Sequence, residues 1–353
     1  MKKTLMKGNH AAGEAAVRAG CMLYAGYPIT PSTEIMEHLS ARMPEEGRVF
    51  IQAENEIASI HMVGGAYCTG KRAMTATSAG GFSLMQEFTA YASDAELPFV
   101  IVNVVRSGRG IGSLDSGQDG YRQSVYGGGN GDYRHIVYVP NSIQEMVDDI
   151  YESFEVAEKY RIGVIILTEA SMGQMMEPVV MPDYKFLETV PDWIVTGTHK
   201  WDRGSGPNEW VPKRIAWAEK MKNINAEMQR YELYNVEEAD YIFVSCGLPS
   251  RSVYESVKKL QARGEKVGFI RPKVVSPFPV EAFMQSNPKV KGFICVETTE
   301  FGQMVHDVAL TVKKTYERNV PVYLYNYGIG IPSVKDVINN YEEIKQGGYK
   351  EVF

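Results

Sequence analysis

Long apolar runs are missing from these 353 residues. The longest, such as Phe99–Val102 and Val164–Leu167, fall far short of the roughly 20 residues that span a bilayer. An excess of basic charge is missing as well. Lys plus Arg number 37 against 43 Asp plus Glu, a net charge of −6 with both signs interspersed. That argues against a nucleic-acid binder relying on a broad basic field. The opening Met1-Lys2-Lys3-Thr4-Leu5-Met6-Lys7 has no long apolar core and no small-residue cleavage site, so no signal peptide is expected. Cysteine is scarce, with four residues at 21, 68, 246 and 295, and no pair has the CxxC spacing of a zinc site or an iron–sulfur cluster. Flanked by small or apolar residues, as in Ser245-Cys246-Gly247 and Ile294-Cys295-Val296, they read as reduced, mostly buried thiols of a cytoplasmic protein. What is present is globular: 44% hydrophobic and 23% charged residues, in a chain long enough for two domains of roughly 100–200 residues.

Residues 8–170 alternate helix-like and strand-like stretches. Alanine-rich Ala11–Ala19 reads as a helix, followed by a strand near Met22–Ala25. Ser32–Arg42 reads as a helix with Ser32 or Thr33 as N-cap and Glu34 in the first turn, where its charge suits the helix dipole. Val49–Gln52 is a strand and Glu56–Thr69 a helix of small residues. Further strands are expected at Arg72–Thr77, Phe99–Val105, Ile136–Val139 and Gly163–Thr168, and helices at Phe82–Ser93 and Ser142–Lys159. Short β-branched runs separated by helices predict an α/β fold with a parallel sheet covered on both faces. Between Glu177 and Glu238 the pattern breaks, with Pro178, Pro182, Pro191, Pro207 and Pro212, a Gly-rich stretch and a charged helix over Lys213–Tyr234. The alternation then resumes, with strands near Tyr241–Cys246, Lys266–Ile270, Phe293–Val296 and Val320–Tyr325, and helices over Ser250–Arg263, Met304–Lys314 and Val334–Ile344. The expected organisation is a first domain over 1–176, a linker with a charged helix over 177–238, and a smaller α/β domain over 239–353.

Open parallel sheets bind ligands in the loops beyond the carboxyl ends of their strands. After the first strand comes Gly26-Tyr27-Pro28-Ile29-Thr30-Pro31-Ser32-Thr33, stiffened by two prolines and leading into a helix whose N–H groups and hydroxyls suit an anion; it equally fits a rigid turn with an ordinary cap. Gln52-Ala53-Glu54-Asn55-Glu56 places a carboxylate at a strand end, where it serves a ligand or simply the helix dipole. Arg106-Ser107-Gly108-Arg109-Gly110-Ile111-Gly112-Ser113 begins a long loop through Gly131, suited to anion binding but not to the dinucleotide fingerprint. Tyr121, Arg122, Tyr126 and Tyr133 in that loop equally fit an interface. His61 reads as a packed core or interface residue and not a catalyst, and Met172, Met175, Met176 and Met181 as gap-filling core or interface.

Gly26–Thr33, Glu54 before a small-residue helix, Thr75-Ala76-Thr77-Ser78 leading into Gly81-Phe82-Ser83-Leu84-Met85-Gln86-Glu87, and Arg106 fall in order. Together with Arg271-Pro272-Lys273-Val274-Val275-Ser276-Pro277-Phe278-Pro279, they resemble the alpha subunit of the 2-oxoacid:ferredoxin oxidoreductases over essentially the whole chain, nearest to the 2-oxoisovalerate type. The resemblance implies a thiamine-diphosphate-binding domain of the pyrimidine type, then a transketolase-C-terminal-like domain. It also implies oxidative decarboxylation of a 2-oxoacid to acyl-CoA and CO2, with reduction of ferredoxin. On it, Glu54 hydrogen-bonds N1′ of the cofactor's aminopyrimidine, with Tyr27, Pro28, Ile29, Ser78 and Phe82 around the cofactor. Thr30 and Arg106 contact the substrate's carbonyl and carboxylate. Glu56, two residues beyond Glu54, competes for its role.

Ser78-Ala79-Gly80-Gly81 departs from the Ser-Gly-Pro-Gly of many relatives, and Gln118-Asp119-Gly120 from the Gln-Gly-Asp of 2-oxoglutarate-type relatives, which favours a branched or smaller oxoacid. Thiamine enzymes hold Mg²⁺ and diphosphate with a Gly-Asp-Gly stretch, which this chain lacks; Gly129-Asn130-Gly131-Asp132-Tyr133 is the nearest string. No metal site is therefore expected here. The resemblance places Mg²⁺ and diphosphate on a beta subunit and the iron–sulfur clusters on other subunits, with ferredoxin-like gamma and delta subunits, ferredoxin and coenzyme A as further partners, and no nucleic acid or membrane. A 2-oxoglutarate- or indolepyruvate-type paralogue and a non-catalytic scaffold subunit are the competing readings.

Overall fold

The computed structural model describes residues 3–186 and 207–348, together with 191, 193 and 194. Seven strands form the larger sheet, in the order Val274–Ser276, Ile136–Tyr138, Gly163–Glu169, Phe99–Val105, Ala73–Thr77, Leu23–Gly26, Val49–Gln52. All pairs are parallel except the first, where Val274–Ser276 runs antiparallel to Ile136–Tyr138. Phe99–Val105 and Gly163–Glu169 are buried along their whole length. Their alternate residues enter different cores. Val100 and Val102 join a cluster with Ala11, Ala12, Ile35 and Ile150, whereas Phe99 and Ile101 face Ile60, Phe88 and Ala92. A strand covered on both faces needs a continuous apolar run, and these two strands have one.

The second sheet has the order Val322–Asn326, Gly292–Glu297, Tyr241–Val244, Val267–Pro272, Tyr231–Tyr234, parallel except for the last strand. Two of these assignments correct the sequence reading. Tyr231–Tyr234 lies not in a helix but on the sheet edge, and the preceding helix is Pro207–Glu227. Val274–Ser276, from the middle of the second α/β stretch, caps the first sheet. The span expected as one helix over Phe82–Ser93 is two, Ala79–Leu84 and Gln86–Asp94. Thr4–Lys7 and Met176–Val179, not foreseen as strands, pair with each other. The Ser32 hydroxyl donates to the Ile29 carbonyl at 2.9 Å and does not cap the helix Thr33–Glu45. All four cysteines are free, three of them buried. No helix among the described residues is long and apolar enough to cross a membrane.

Two polar junctions lock the sheets together. Arg271, 2% exposed, forks onto Glu145 with both bonds at 2.8 Å and reaches Glu232 at 2.9 Å. Burial alone would raise the Glu145 pKa, but this fork and Lys273 bring it down to about 2. At the second junction the Gln118 amide donates to the Cys246 carbonyl at 3.0 Å and to Glu169 Oε1 at 3.2 Å, and accepts from the Thr298 N–H at 3.1 Å. Glu169 Oε1 also accepts from the Leu248 N–H at 3.1 Å. Gly247 makes this approach possible: it sits at φ +61, and a Cβ there would lie 2.1 Å from Glu169 Oε1.

Burial pushes the Glu169 carboxyl up to about 7 against an ordinary 4.5, opposed by its bonds from Leu248 and Gln118. The folded-state value lies above the unfolded one, so the fold favours the protonated form. Its contribution to stability is full below about pH 4.5 and is lost as pH rises through about 7. Relative to wild type, Glu169→Gln should gain about 2 kcal/mol of unfolding free energy between pH 5 and 7.5, measured by chemical denaturation. Parallel pH profiles would show that Glu169 is not neutral in the fold.

Candidate functional site

The strands Leu23–Gly26, Val49–Gln52, Ala73–Thr77 and Phe99–Val105 end on one rim. From Leu23–Gly26 the chain passes to Val49–Gln52 on one side, then crosses to Ala73–Thr77 on the other. The loops after Gly26 and Thr77 therefore leave in opposite directions, and the crevice that this strand order predicts between them is the usual ligand position in open α/β sheets.

Buried oxygens without partners line this region. Thr77 Oγ1 and Ser78 Oγ, both on fully buried residues, have no hydrogen-bond partner among the described residues, nor has Oδ1 of Asn103, which pairs in register with Thr77. Such atoms are rare in folded proteins, and oxygens so placed at strand ends suit a polar ligand. Glu56 stands beside them, 6% exposed, at the start of the helix Glu56–Cys68. Asn55 caps that helix, its Oδ1 accepting from the Ala58 N–H at 2.9 Å. Gly81 leaves the space in front. A Cβ at Gly81 would lie 2.4 Å from both Glu56 Oε1 and Thr77 Oγ1.

Arg106 leaves the end of its strand half-buried. Its Nη1 donates to the Thr30 carbonyl at 2.8 Å, while its Nε is buried without an acceptor among the described residues. Asp119 Oδ2 grips the two residues that follow, accepting from Ser107 Oγ at 3.0 Å and the Gly108 N–H at 2.9 Å.

The expected site residues separate into groups. Thr30 and Arg106 are brought together, and Ser78 lies at the crevice. Tyr27 is exposed, with Pro28 and Ile29 half-buried, on the loop above it. Glu54 is exposed, whereas its competitor Glu56 faces Thr77 and Gly81. The Phe82 ring lies in the core at 1% exposure, not open to the crevice. Glu34 is engaged by Lys7, Asn9 and Gln174 at 2.6–2.9 Å and braces its helix. His61 is exposed, with Nδ1 on the Ile57 carbonyl and its ring against Phe88. Met172 is core, while Met176 is 57% exposed. The span expected as one long loop holds a short helix, Tyr121–Tyr126, and both of these tyrosines hydrogen-bond Asp307, so this part is an interface within the chain. Gln118 and Asp119 emerge as structural keys that the sequence marked only as a departure from a motif. Among the described residues no group of three or more His, Cys, Asp or Glu is arranged to hold a metal ion.

Comparison with known proteins decides the family. Residues 14–228 match the thiamine-diphosphate-binding family of pyruvate flavodoxin/ferredoxin oxidoreductases, and residues 239–337 match core domain II of pyruvate:ferredoxin oxidoreductase. The chain belongs to this family. It is a 2-oxoacid:ferredoxin oxidoreductase subunit, as its resemblance implied. It is 42% identical to ketoisovalerate oxidoreductase subunit VorB of Methanothermobacter marburgensis, over 88% of this chain and 90% of that one. It is 35% identical to 2-oxoglutarate synthase subunit KorA of Methanocaldococcus jannaschii, over 90% and 94%. Among solved structures it superposes on a 2-oxoglutarate:ferredoxin oxidoreductase from Magnetococcus marinus with 2-oxoglutarate, coenzyme A and succinyl-CoA bound. There the TM-score is 0.83 at 25% identity, and 97% of this chain spans 65% of that one. A split-gene transketolase, at TM-score 0.61 and 14% identity, shares the fold.

The space at Gly81 gives a direct test of the crevice. Gly81→Ala should destabilise the fold by roughly 1–3 kcal/mol through overpacking. Adding Glu56→Ala should recover part of that loss in chemical denaturation, because it removes one of the two colliding groups. A Gly81→Ala protein as stable as wild type would mean that the carboxyl does not occupy this space.

Proposed function

We propose that this subunit supplies the pyrimidine-facing half of a shared thiamine diphosphate site. The assembled enzyme then oxidatively decarboxylates a 2-oxoacid to acyl-CoA and CO2, passing electrons to ferredoxin. The observation that carries this reading is Arg106: a half-buried guanidinium held by Thr30, with an unsatisfied Nε at the mouth of a crevice whose buried hydroxyls also lack partners. The cofactor supplies the nucleophilic carbon and the electron sink for loss of CO2. Its polar, flat aminopyrimidine fits the residues present. Glu56 is placed to share a proton with a ring nitrogen, Thr77 and Ser78 offer hydroxyls, and Gly81, lacking a Cβ, lets the Glu56 carboxyl and the Thr77 hydroxyl approach. Burial favours Glu56 over Glu54 for the carboxyl role. Arg106 offers the substrate carboxylate a planar, two-pronged donor, with Thr30 beside it.

A branched-chain oxoacid is the favoured substrate, supported by the greater identity to the ketoisovalerate relative than to the 2-oxoglutarate relative. A second observation agrees. Arg109, the other arginine of the glycine loop, is 86% exposed and lies 3.6 Å from Glu300, with which a second substrate carboxylate would have to compete for it. The 2-oxoglutarate reading rests on the KorA relatives and the Magnetococcus structure, and a panel of 2-oxoacids assayed with the assembled enzyme separates the two. A beta subunit is proposed to hold Mg²⁺ and the diphosphate, with the clusters on further subunits in the cytoplasm. Tyr27, Ile57 and Leu84 stand 39–49% exposed around the crevice, apolar surface that a neighbouring chain would cover.

Arg106→Ala should raise the apparent KM for the oxoacid by at least about tenfold, since a charged hydrogen bond contributes roughly 1.5–3 kcal/mol. An unchanged KM in steady-state assays would assign Arg106 to bracing the Thr30 loop alone. Glu56→Gln should slow exchange of the C2 proton of bound cofactor by roughly 10²–10⁴-fold, the span of a positioned acid–base group. Glu54→Gln should exchange within a few-fold of wild type, and the reverse pattern would return the role to Glu54.

A further inference from the structure

The grip of Arg106 depends on a loop that begins in the first sheet and is fastened to the second. Between Ser107 and Asp119 the backbone turns on glycines, with Gly108, Gly110 and Gly112 all at positive φ. A loop with that freedom does not fix a guanidinium by itself. It is closed at its base instead. Ser107 N–H donates to the Asp115 carbonyl at 2.8 Å, Arg106 forms an isolated bridge with Ser116, and Asp119 Oδ2 accepts from both Ser107 and Gly108. The backbone that carries Asp119 is fastened in turn. Gln118 N–H donates to the Thr298 carbonyl at 2.7 Å, and the Asp119 carbonyl accepts from the Gln303 amide at 3.1 Å. The Arg122 N–H donates to the same Gln303 side chain at 2.7 Å, so Gln303 holds the segment at two points.

We infer that Asp119 is a positioning residue for Arg106, transmitting the placement of the second sheet to the group that grips the substrate carboxylate. This rests on the reading of Arg106 given above. Each step of the chain Thr298–Gln118, Asp119–Ser107 and Gly108, and Arg106–Thr30 is a hydrogen bond of 2.7–3.1 Å. A two-pronged guanidinium–carboxylate contact tolerates little displacement, and small misplacements are costly in catalysis. Asp119 touches neither the crevice oxygens nor Glu56 through any of these bonds. Its loss should therefore weaken the hold on substrate and leave the chemical step alone.

The test is a double-variant cycle in the assembled enzyme, reading KM and kcat for the preferred 2-oxoacid. Asp119→Ala should raise KM about five- to tenfold with kcat within about threefold, and should add nothing once Arg106→Ala is present. Ser107→Ala removes one of the two bonds and should raise KM about two- to threefold, which keeps the test open if Asp119→Ala fails to assemble. If Arg106→Ala raises KM but Asp119→Ala and Ser107→Ala do not, the inference falls and the Arg106 reading stands. Additive effects of Asp119→Ala and Arg106→Ala would place Asp119 in another role. An Arg106→Ala enzyme with unchanged KM overturns both readings.

Discussion

A primary amide sealed from water must find every partner inside the protein, and an amide deprived of them costs more than its bonds return. Gln118 finds its partners on three segments: the carbonyl of Cys246, the N–H of Thr298 and the carboxyl of Glu169. Two of these belong to the second sheet's loops and one ends a central strand of the first. The relative placement of the sheets is thereby set at a point beside the glycine loop that follows Arg106. Through Gln118 and Asp119 the second sheet also holds the base of the loop that follows Arg106.

The same economy of position explains why two glutamates two residues apart have different fates. Strand Val49–Gln52 is a sheet edge, and the turn after it carries Glu54 out over the rim. Asn55 then caps the helix, and Glu56, as its first residue, is directed back over the rim toward Thr77, the end of a strand two places away in the sheet. Helix capping decides which carboxyl is buried. Glu54 stays exposed, as do the apolar side chains of Tyr27, Ile57 and Leu84.

Much of this architecture was legible in local sequence. Phe99–Val105 has the expected limits because a strand buried on both faces must be continuously apolar. Edge pairings were not legible. Tyr231–Tyr234 and Val274–Ser276 are short, and what makes each a strand is a partner well separated in the chain. The division near Met85 escaped notice because the residues on both sides favour helix. At the site, the loops and Arg106 stood out by residue type and by resemblance. Glu56 did not, since choosing it over Glu54 requires knowing which way the capped turn faces. Gln118 and Asp119 show no periodicity and no charge pattern. Their importance comes only from what they touch.

Arg106, Thr77, Ser78 and Asn103 hold unpartnered buried atoms on two adjacent strand ends. Each such atom costs roughly 1–3 kcal/mol relative to a satisfied one. A fold selected for stability alone would have filled these positions with apolar side chains, as it did one layer deeper with Ile101 and Val102. The cost is sustained where the two clusters of core side chains meet on either face of the same strands, the most rigid place available. A ligand that satisfies these groups removes their penalty on binding, so the free energy withheld in the empty protein becomes affinity. Because the groups are already oriented, little further ordering is required when the ligand arrives. On the role proposed for Arg106, the carboxylate it would hold is also the part of a 2-oxoacid that leaves as CO2. The grip is therefore strongest before decarboxylation and vanishes with it, so the arginine that captures the substrate does not hold back the product.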